Sequence, residues 1–533
     1  MSGISDFNVG YPSYRAPMMG RNAVAASQPL AAQAGIRMLQ LGGNAVDAAI
    51  ATAMALTVVE PTGNGIGSDA FAIIWDGKKL HALNASGRAP AAWSRETFAH
   101  LAAMPEIGWD AVTVPGAVSA WVELAEKFGT LPLTTLAQPA IEYARNGFPV
   151  SPLIGHLWER GYNKLRDQPG FSACFAPDGR PPKVGELFRN PDQADTLEKI
   201  AATNGESFYR GELAEKIVAF AKEHGAALTL DDLKNHKADW VEMLSRPFAG
   251  GSVQELPPNG QGIATLMALG ILEQWDIGRY EPDSVQWLHL SIEAMKLALV
   301  DLERYIADED HMEFPADLLL SDDYLKTRAA LIDPTKAGDF TFGAPKQSGT
   351  VYLSTADASG MMVSFIQSNF MGFGSGVVVP GTGISLQNRG AGFVLDEAHP
   401  NVVAASKRAF HTIIPAFALD AEGQPLMSFG VMGGPMQAQG HLQMALRIML
   451  AKQNPQAAID APRWRVVEGR EVSVEPAMPL NTLAALRAMG HKIVVEDPLQ
   501  TYNFGGAQAI VRDPQGFYIA ATESRKDGQA LVY

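Results

Sequence analysis

The sequence predicts an α/β protein, an αββα sandwich in which two stacked antiparallel sheets carry helices on both faces. Three observations lead there. Strand pairs closed by short polar turns occur near residues 70–85, 351–367 and 413–432. A long stretch of helical patterning separates the first pair from the others. Helical segments return near residues 439–450 and 482–489, so that antiparallel strands alternate with packed helices. A chain of 533 residues exceeds one core of ordinary size, so either two domains or one large layered domain is expected.

In chain order, Pro29 to Leu41 has helical periodicity, with Ser27 as its candidate N-cap and Gly42-Gly43 as its stop. Ala45 to Val59 is apolar on nearly every side and is predicted as a buried helix ended by Pro61. Asp47 interrupts it, and it falls short of the roughly 20 residues that cross a bilayer, so no membrane association is expected. Ala70 to Trp75 and Leu80 to Ala85 flank Asp76-Gly77 as antiparallel strands would. Val118 to Ala307 reads as helical cladding with few strand signals. Its last helix, Ser284 to Ala307, carries Glu293, Asp301 and Glu303, which are expected to form a solvated face. Gly and small polar residues between Gly338 and Gly349 read as an exposed linker. Val351 to Ala356 and Met361 to Gln367 then flank a hairpin turn, and Ile413 to Leu419 and Leu426 to Met432 repeat the arrangement.

Composition bounds the function. With 47% apolar and 19% charged residues the chain is an ordinary folded protein. A net charge of -15 opposes binding to nucleic acid, which needs clustered cations to displace counterions. Cys174 is the only cysteine, which rules out an intrachain disulfide. Met1 to Tyr14 lacks the basic start and apolar core of a secretory leader, so the expected location is the cytoplasm.

Most catalytic signatures are absent: HExxH, paired CxxC, GxSxG and a phosphate loop ending in Gly-Lys-Ser/Thr. Gly63 to Gly67 resembles part of a dinucleotide fingerprint but precedes a strand. The eleven histidines show no metal-ligand spacing, so neither a metal nor a cofactor is expected. What is left is Thr350, at a strand start after Gly349 and the linker. Threonine is common at strand starts, and a structural role is the plain alternative. The chemical alternative is cleavage before Thr350, which frees an α-amine with a pKa of about 7.7–8 beside the hydroxyl. One residue then supplies both nucleophile and base.

Several blocks, in order, resemble the γ-glutamyltransferase family of N-terminal nucleophile hydrolases. They are Gly42-Gly43-Asn44-Ala45-Val46-Asp47-Ala48-Ala49 with Glu60-Pro61 and Gly65-Ile66-Gly67, then Val114-Pro115-Gly116, Gly129-Thr130-Leu131-Pro132, Gln138-Pro139-Ala140-Ile141, Pro257-Pro258 with Gly260, and Glu293 to Ala298. The resemblance continues through Thr350 and Phe373-Gly374-Ser375-Gly376. It implies a precursor cut between Gly349 and Thr350, giving a helix-rich large fragment, 1–349, and a small fragment, 350–533. The fragments would stay associated through shared sheets, with further homodimerisation open. It also implies that Gly433-Gly434 forms an oxyanion hole through backbone N–H groups.

The sequence departs from the family where the γ-glutamyl group is gripped. Asn388-Arg389-Gly390-Ala391-Gly392 stands in place of an acidic pair, and His411-Thr412 in place of two serines. The early hairpin's arginine is replaced by Ser86, with Arg88 two residues on. Ser368 matches a hydroxyl beside the nucleophile and Asn369 lies near an amide position. The candidate substrate-binding set is therefore Arg88, Ser368, Asn369, Arg389, His411 and Thr412. Arg389 would read a carboxylate or, equally, make a structural ion pair. The short connection between Phe393 and Arg408 implies an open site and hydrolysis over transfer. The expected function is amide hydrolysis or acyl transfer through a Thr acyl-enzyme, acting on γ-glutamyl compounds such as glutathione. The alternatives are acidic acyl amides without an α-amine, oxamate-like or glutaryl, and an uncleaved, inactive binding protein.

Overall fold

The computed structural model describes residues 14–340 and 349–533, so most of the predicted linker lies outside the described residues. Fourteen strands form the two large sheets: β1 (Met18–Gly20), β2 (Ala23–Ala26), β3 (Asp69–Trp75), β4 (Leu80–Asn84), β5 (Asp239–Val241), β6 (Leu244–Phe248), β7 (Gly251–Glu255), β8 (Gly349–Ala356), β9 (Met362–Phe370), β10 (Ala416–Leu419), β11 (Pro425–Met432), β12 (Gly506–Arg512), β13 (Tyr518–Thr522) and β14 (Gln529–Val532). One sheet runs β14-β2-β8-β9-β3-β4-β5 and the other β1-β13-β12-β11-β10-β7-β6, antiparallel throughout.

Alternation along the strands builds three apolar layers. Between the sheets pack Phe71, Tyr352, Ile366, Phe417, Met432 and Ile510. Gly430 faces the Tyr352 ring, where a Cβ would come within 2.4 Å, so the close approach of the sheets depends on that glycine. On one outer face Val351, Leu353 and Phe365 meet α1 (Pro29–Gln40) and α2 (Ala45–Val59). On the other, Phe429, Val431 and Ala507 meet α4 (Gly262–Glu273), α5 (Val285–Tyr305) and α6 (Met436–Ala445). A further helix, α3 (Pro152–Leu165), flanks the first of these layers. This is the predicted αββα sandwich.

All fifteen residues of α2 are buried. Its start is a capping box: the Asn44 side chain accepts from Val46 and Asp47 N–H, and Asp47 accepts from Asn44 N–H. Its end is closed by Asn64, whose Nδ2 donates to the carbonyls of Leu56 and Glu60 at 2.9 Å. Each fully buried Val, Leu or Ile side chain there contributes about 1.5–3 kcal/mol.

Three expectations are corrected. The N-cap of α1 is Gln28, because the Ser27 hydroxyl is drawn away to donate to Glu60 at 2.5 Å. The helical middle ends in β5, β6 and β7, short strands that complete an edge of each sheet. Glu293 and Asp301 are buried, paired with Lys296 at 2.7 Å and Arg328 at 3.0 Å, because later segments of the chain cover α5. A three-stranded unit of Trp464–Glu468, Glu471–Val474 and Lys492–Val495 was also not foreseen. Among the described residues, no helix is long and apolar enough to cross a membrane.

Candidate active site

Strand β8 is central in its sheet, and its first residues meet an irregularity in β9. Gly349 pairs with Phe370 but Val351 with Gln367, so two residues of β9, Ser368 and Asn369, face Thr350 alone. The bulge aims Ser368 at the Gly349–Thr350 peptide. Its Oγ accepts from Phe370 N–H at 2.8 Å, donates to the Gly349 carbonyl at 2.7 Å and lies 3.2 Å from Thr350 Oγ. A hydroxyl has one proton, and Ser368 spends it on Gly349, so the Thr350 hydroxyl is the donor between the two. Phe370 holds φ +77, an unusual conformation for a large residue, beside the peptide. Gly63 lies flat against Thr350, where a Cβ would stand 3.2 Å from its carbonyl oxygen.

Ser368 thereby polarises the carbonyl that self-cleavage would attack. Replacing Ser368 with Ala is expected to slow precursor cleavage by about 100-fold, the scale of losing one oxyanion donor. Denaturing electrophoresis of freshly synthesised chain gives the half-life, and an unchanged half-life would remove Ser368 from that step.

Gly433 and Gly434 lie just after β11 with φ +118 and +60. Their carbonyls accept from Met436 and Gln437 N–H at 3.2 and 3.1 Å, which starts α6. Their own N–H groups have no acceptor among the described residues. They therefore form a helix N-terminus with free donors, suited to a developing anion. Gln261 Nε2 fixes the turn by donating to the carbonyls of Gly434 at 2.8 Å and Thr412 at 2.5 Å. Gly433 and Thr350 line one cavity of about 340 Å³.

The other predicted ligands gather elsewhere. Arg389, His411 and Thr412 form a buried polar cluster with Asp69, and none of them lines the cavity. Asp69 accepts from Gly87 and Gly116 N–H at 3.0 and 3.1 Å and lies 3.1 Å from His411 Nε2. Burial pushes its carboxyl up to about 6, opposed by the Arg389 guanidinium. Burial and two neighbouring guanidinium groups hold His411 far below its usual value, so it is neutral. Its Nδ1 accepts from Ile413 N–H at 3.3 Å, which places the proton on Nε2, donating to Asp69. Arg389 Nη1 donates to Thr412 Oγ1 at 3.1 Å and the guanidinium lies 4.1 Å over the Phe370 ring, while Nε and Nη2 have no partner among the described residues. Asn369 is held by Ser68 and Ser385 at 2.8 and 3.2 Å. Arg88 is half-exposed, 3.5 and 3.6 Å from Asp239 and Asp308, and does not reach the cavity.

The charged wall of the cavity comes instead from Arg160, Lys164, Arg465 and Lys526, with no carboxylate among its lining residues. Sequence reasoning missed these four. Arg160 and Lys164 carry a weak signal, since Leu157, Arg160, Gly161, Lys164 and Leu165 share one face of α3 by helical spacing. Arg465 and Lys526 carry none.

One described cluster has metal-ligand types, His289, Glu293 and His491. Its hydrogen bonds are already assigned. His289 Nε2 donates to the Asp333 carbonyl and its Nδ1 receives the His491 Nε2 proton at 2.9 Å. The Glu293 oxygens take Lys296 Nζ at 2.7 Å and Gly338 N–H at 2.8 Å. The ammonium occupies the cation's place, so the cluster fastens the chain at Gly338 and does not suit a metal.

Comparison with known proteins agrees over almost the whole length. A family model described as gamma-glutamyltranspeptidase matches residues 31–533. A glutathione hydrolase-like YwrD proenzyme of Bacillus subtilis is 37% identical over 518 residues, covering 94% of this chain and 96% of that protein. An oxamate amidohydrolase proenzyme of Klebsiella pneumoniae is 36% identical over 520 residues, covering 95% and 97%. The crystal structure of a cephalosporin acylase from Bacillus halodurans superposes with a TM-score of 0.95 at 48% identity, covering 100% of this chain and 99% of that one.

Proposed function

Since this chain belongs to the gamma-glutamyltranspeptidase family, as an amide hydrolase or acylase of the N-terminal nucleophile type, we propose that it cuts itself before Thr350 and hydrolyses amides of acidic acyl groups lacking an α-ammonium. In the first step Thr350 Oγ attacks the Gly349 carbonyl carbon while Ser368 polarises its oxygen. The peptide nitrogen takes the hydroxyl proton and leaves as the Thr350 amine, and water hydrolyses the resulting ester. In turnover, that amine accepts the Thr350 hydroxyl proton as Oγ attacks the substrate carbonyl. The N–H groups of Gly433 and Gly434 receive the oxyanion. The proton passes to the departing amine, and water releases the acid from Thr350.

The observation that carries the substrate reading is the cavity wall, cationic at four positions and without a carboxylate. A γ-glutamyl group brings an ammonium that loses water on binding and needs an acid to meet it. An acyl group ending in carboxylate alone meets Lys526 and the Nε edge of Arg465, both half-buried on that wall; Arg465 Nη2 is paired with Glu496 at 3.2 Å, while its Nε has no partner among the described residues. The relatives named oxamate amidohydrolase and cephalosporin acylase support an acyl group other than glutamyl. The relative named glutathione hydrolase-like favours a second reading, γ-glutamyl compounds such as glutathione. Residues 394–407 contribute nothing to the cavity wall, which supports access of water and hydrolysis over transfer.

The discriminating measurement is kcat/KM on glutaryl para-nitroanilide against γ-glutamyl para-nitroanilide. An unpaired ammonium costs at least about 1.4 kcal/mol, so the glutaryl compound should lead by about 10-fold or more. A lead for the γ-glutamyl compound would overturn the first reading in favour of the second.

A further inference from the structure

We propose, resting on the reading of Thr350 as the nucleophile, that α3 carries a leaving-group subsite in which Arg160 and Lys164, backed by Tyr502, hold a carboxylate on the amine half of the substrate. The residues of the cavity wall differ in exposure. Thr350, where the carbonyl must sit, is buried, and the half-buried Lys526 and Arg465 on the same wall would serve the acyl group. Arg160 and Lys164, by contrast, are exposed, on the side of the wall open to the solvent into which an amine departs.

The helix that presents them is fixed in place. The carboxylate of Asp527 accepts from Leu153 and Ile154 N–H at 3.1 and 3.4 Å and caps the N-terminus of α3 from the far end of the chain. Gly161 lies against the Phe373 ring, where a Cβ would come within 2.5 Å, so the cavity-facing side of α3 is pressed onto the segment that follows β9. Residues 160 and 164, four apart, project from the same face.

Neither cation is committed to a strong partner. Arg160 Nη1 donates to the Tyr502 hydroxyl and its guanidinium lies 5.4 Å from that ring, but it has no carboxylate partner among the described residues. That contact orients the group and leaves other N–H edges for a carboxylate, which a guanidinium binds as a fork. Lys164 meets Glu106 at 3.1 Å in an exposed pair, and Glu106 is not on the cavity wall. Such a pair is weak and readily exchanged for a bound anion. On a protein of net charge -15 this cavity is a local cationic exception, one that concentrates anions at the nucleophile. The class of substrate is therefore an amide whose amine half carries a carboxylate, such as an amino acid, a peptide or an aminobenzoate.

The test pairs two substrates with the same glutaryl group, one a para-nitroanilide and the other its ring-carboxylated analogue. The wild type should favour the carboxylated compound in kcat/KM by about 10-fold at low ionic strength, falling toward parity at about 0.5 M salt. In an Arg160→Gln/Lys164→Gln double variant the ratio should be near 1 at any salt. A wild type without the preference, or a variant that keeps it, overturns the proposal. Equilibrium dialysis of carboxy-para-nitroaniline, the free amine, separates this outcome from failure of the wider reading. If neither anilide is hydrolysed but the wild type binds the amine and the double variant does not, the subsite stands and the acyl assignment fails. Equal binding by both proteins removes the subsite whatever the kinetics show.

Discussion

Replacing Thr350 with Ala is expected to leave the chain as one uncut polypeptide and to lower amide hydrolysis by about a million-fold, the scale of deleting an activated nucleophile. Both losses follow from one atom. Thr350 Oγ adjoins the peptide to be cut, 3.2 Å from the Ser368 hydroxyl that holds the Gly349 carbonyl, and Thr350 shares the cavity with Gly433. The fold should survive the change. Among the described residues Thr350 Oγ makes one hydrogen bond, to Ser368, worth about 0.5–1.5 kcal/mol, while Val351 and Tyr352 keep their places in the layers on either side of the sheet. A Thr350→Ser variant retains the hydroxyl and should be recovered as fragments 1–349 and 350–533. Intact mass reports both proteins. A cleaved Thr350→Ala chain, or one that still hydrolyses the anilides, would take Thr350 out of the mechanism.

Replacing Gly433 with Ala should separate the two reactions. At φ +118 an alanine is strained by about 1–3 kcal/mol. Its Cβ would stand 2.9 Å from the Gly505 Cα, a backbone atom that no side-chain rotation can move. The turn must therefore reshape, and the N–H groups of residues 433 and 434 leave the positions that face the oxyanion. Turnover should fall by about 100- to 1,000-fold in kcat. Self-cleavage should continue, because the Gly349 carbonyl takes its hydrogen bond from Ser368. Fragment yield and steady-state rate on one preparation decide it, and a cleaved variant with near-normal kcat would leave the glycine turn without a catalytic part.

Much of this was legible because local chemistry and tertiary demand agree. Gly42-Gly43 and Pro61 bound a helix whose nearly continuous apolar run needs burial all round. Asp76-Gly77 and Asp357 to Gly360 close hairpins that need only their own neighbours. Strands β5 to β7 were missed for the opposite reason: they are short and partly exposed, and only their distant partners make them strands. Glu293 and Asp301 looked solvated because a sequence does not show which later segment will cover a helix. In the site, the Ser368 position could be named from resemblance, but its aim depends on a bulge that no residue type announces. The cavity's cations come from α3, from a strand near residue 465 and from the turn at Lys526, and only tertiary folding brings such separated residues to one wall.

The interleaving of strands has a consequence for the life of the molecule. In the sheet holding Thr350, β2 lies between β14 and β8, and in the other, β1 and the β6–β7 pair flank four strands from beyond residue 350. Before the proposed cut, a single chain finds this arrangement by a unimolecular route. After it, neither piece owns a complete sheet, and recovery from denaturation becomes a second-order encounter between two aggregation-prone partners. The mature enzyme is then assembled only once, and its endurance is set by how slowly it unfolds and not by an equilibrium to which it can return.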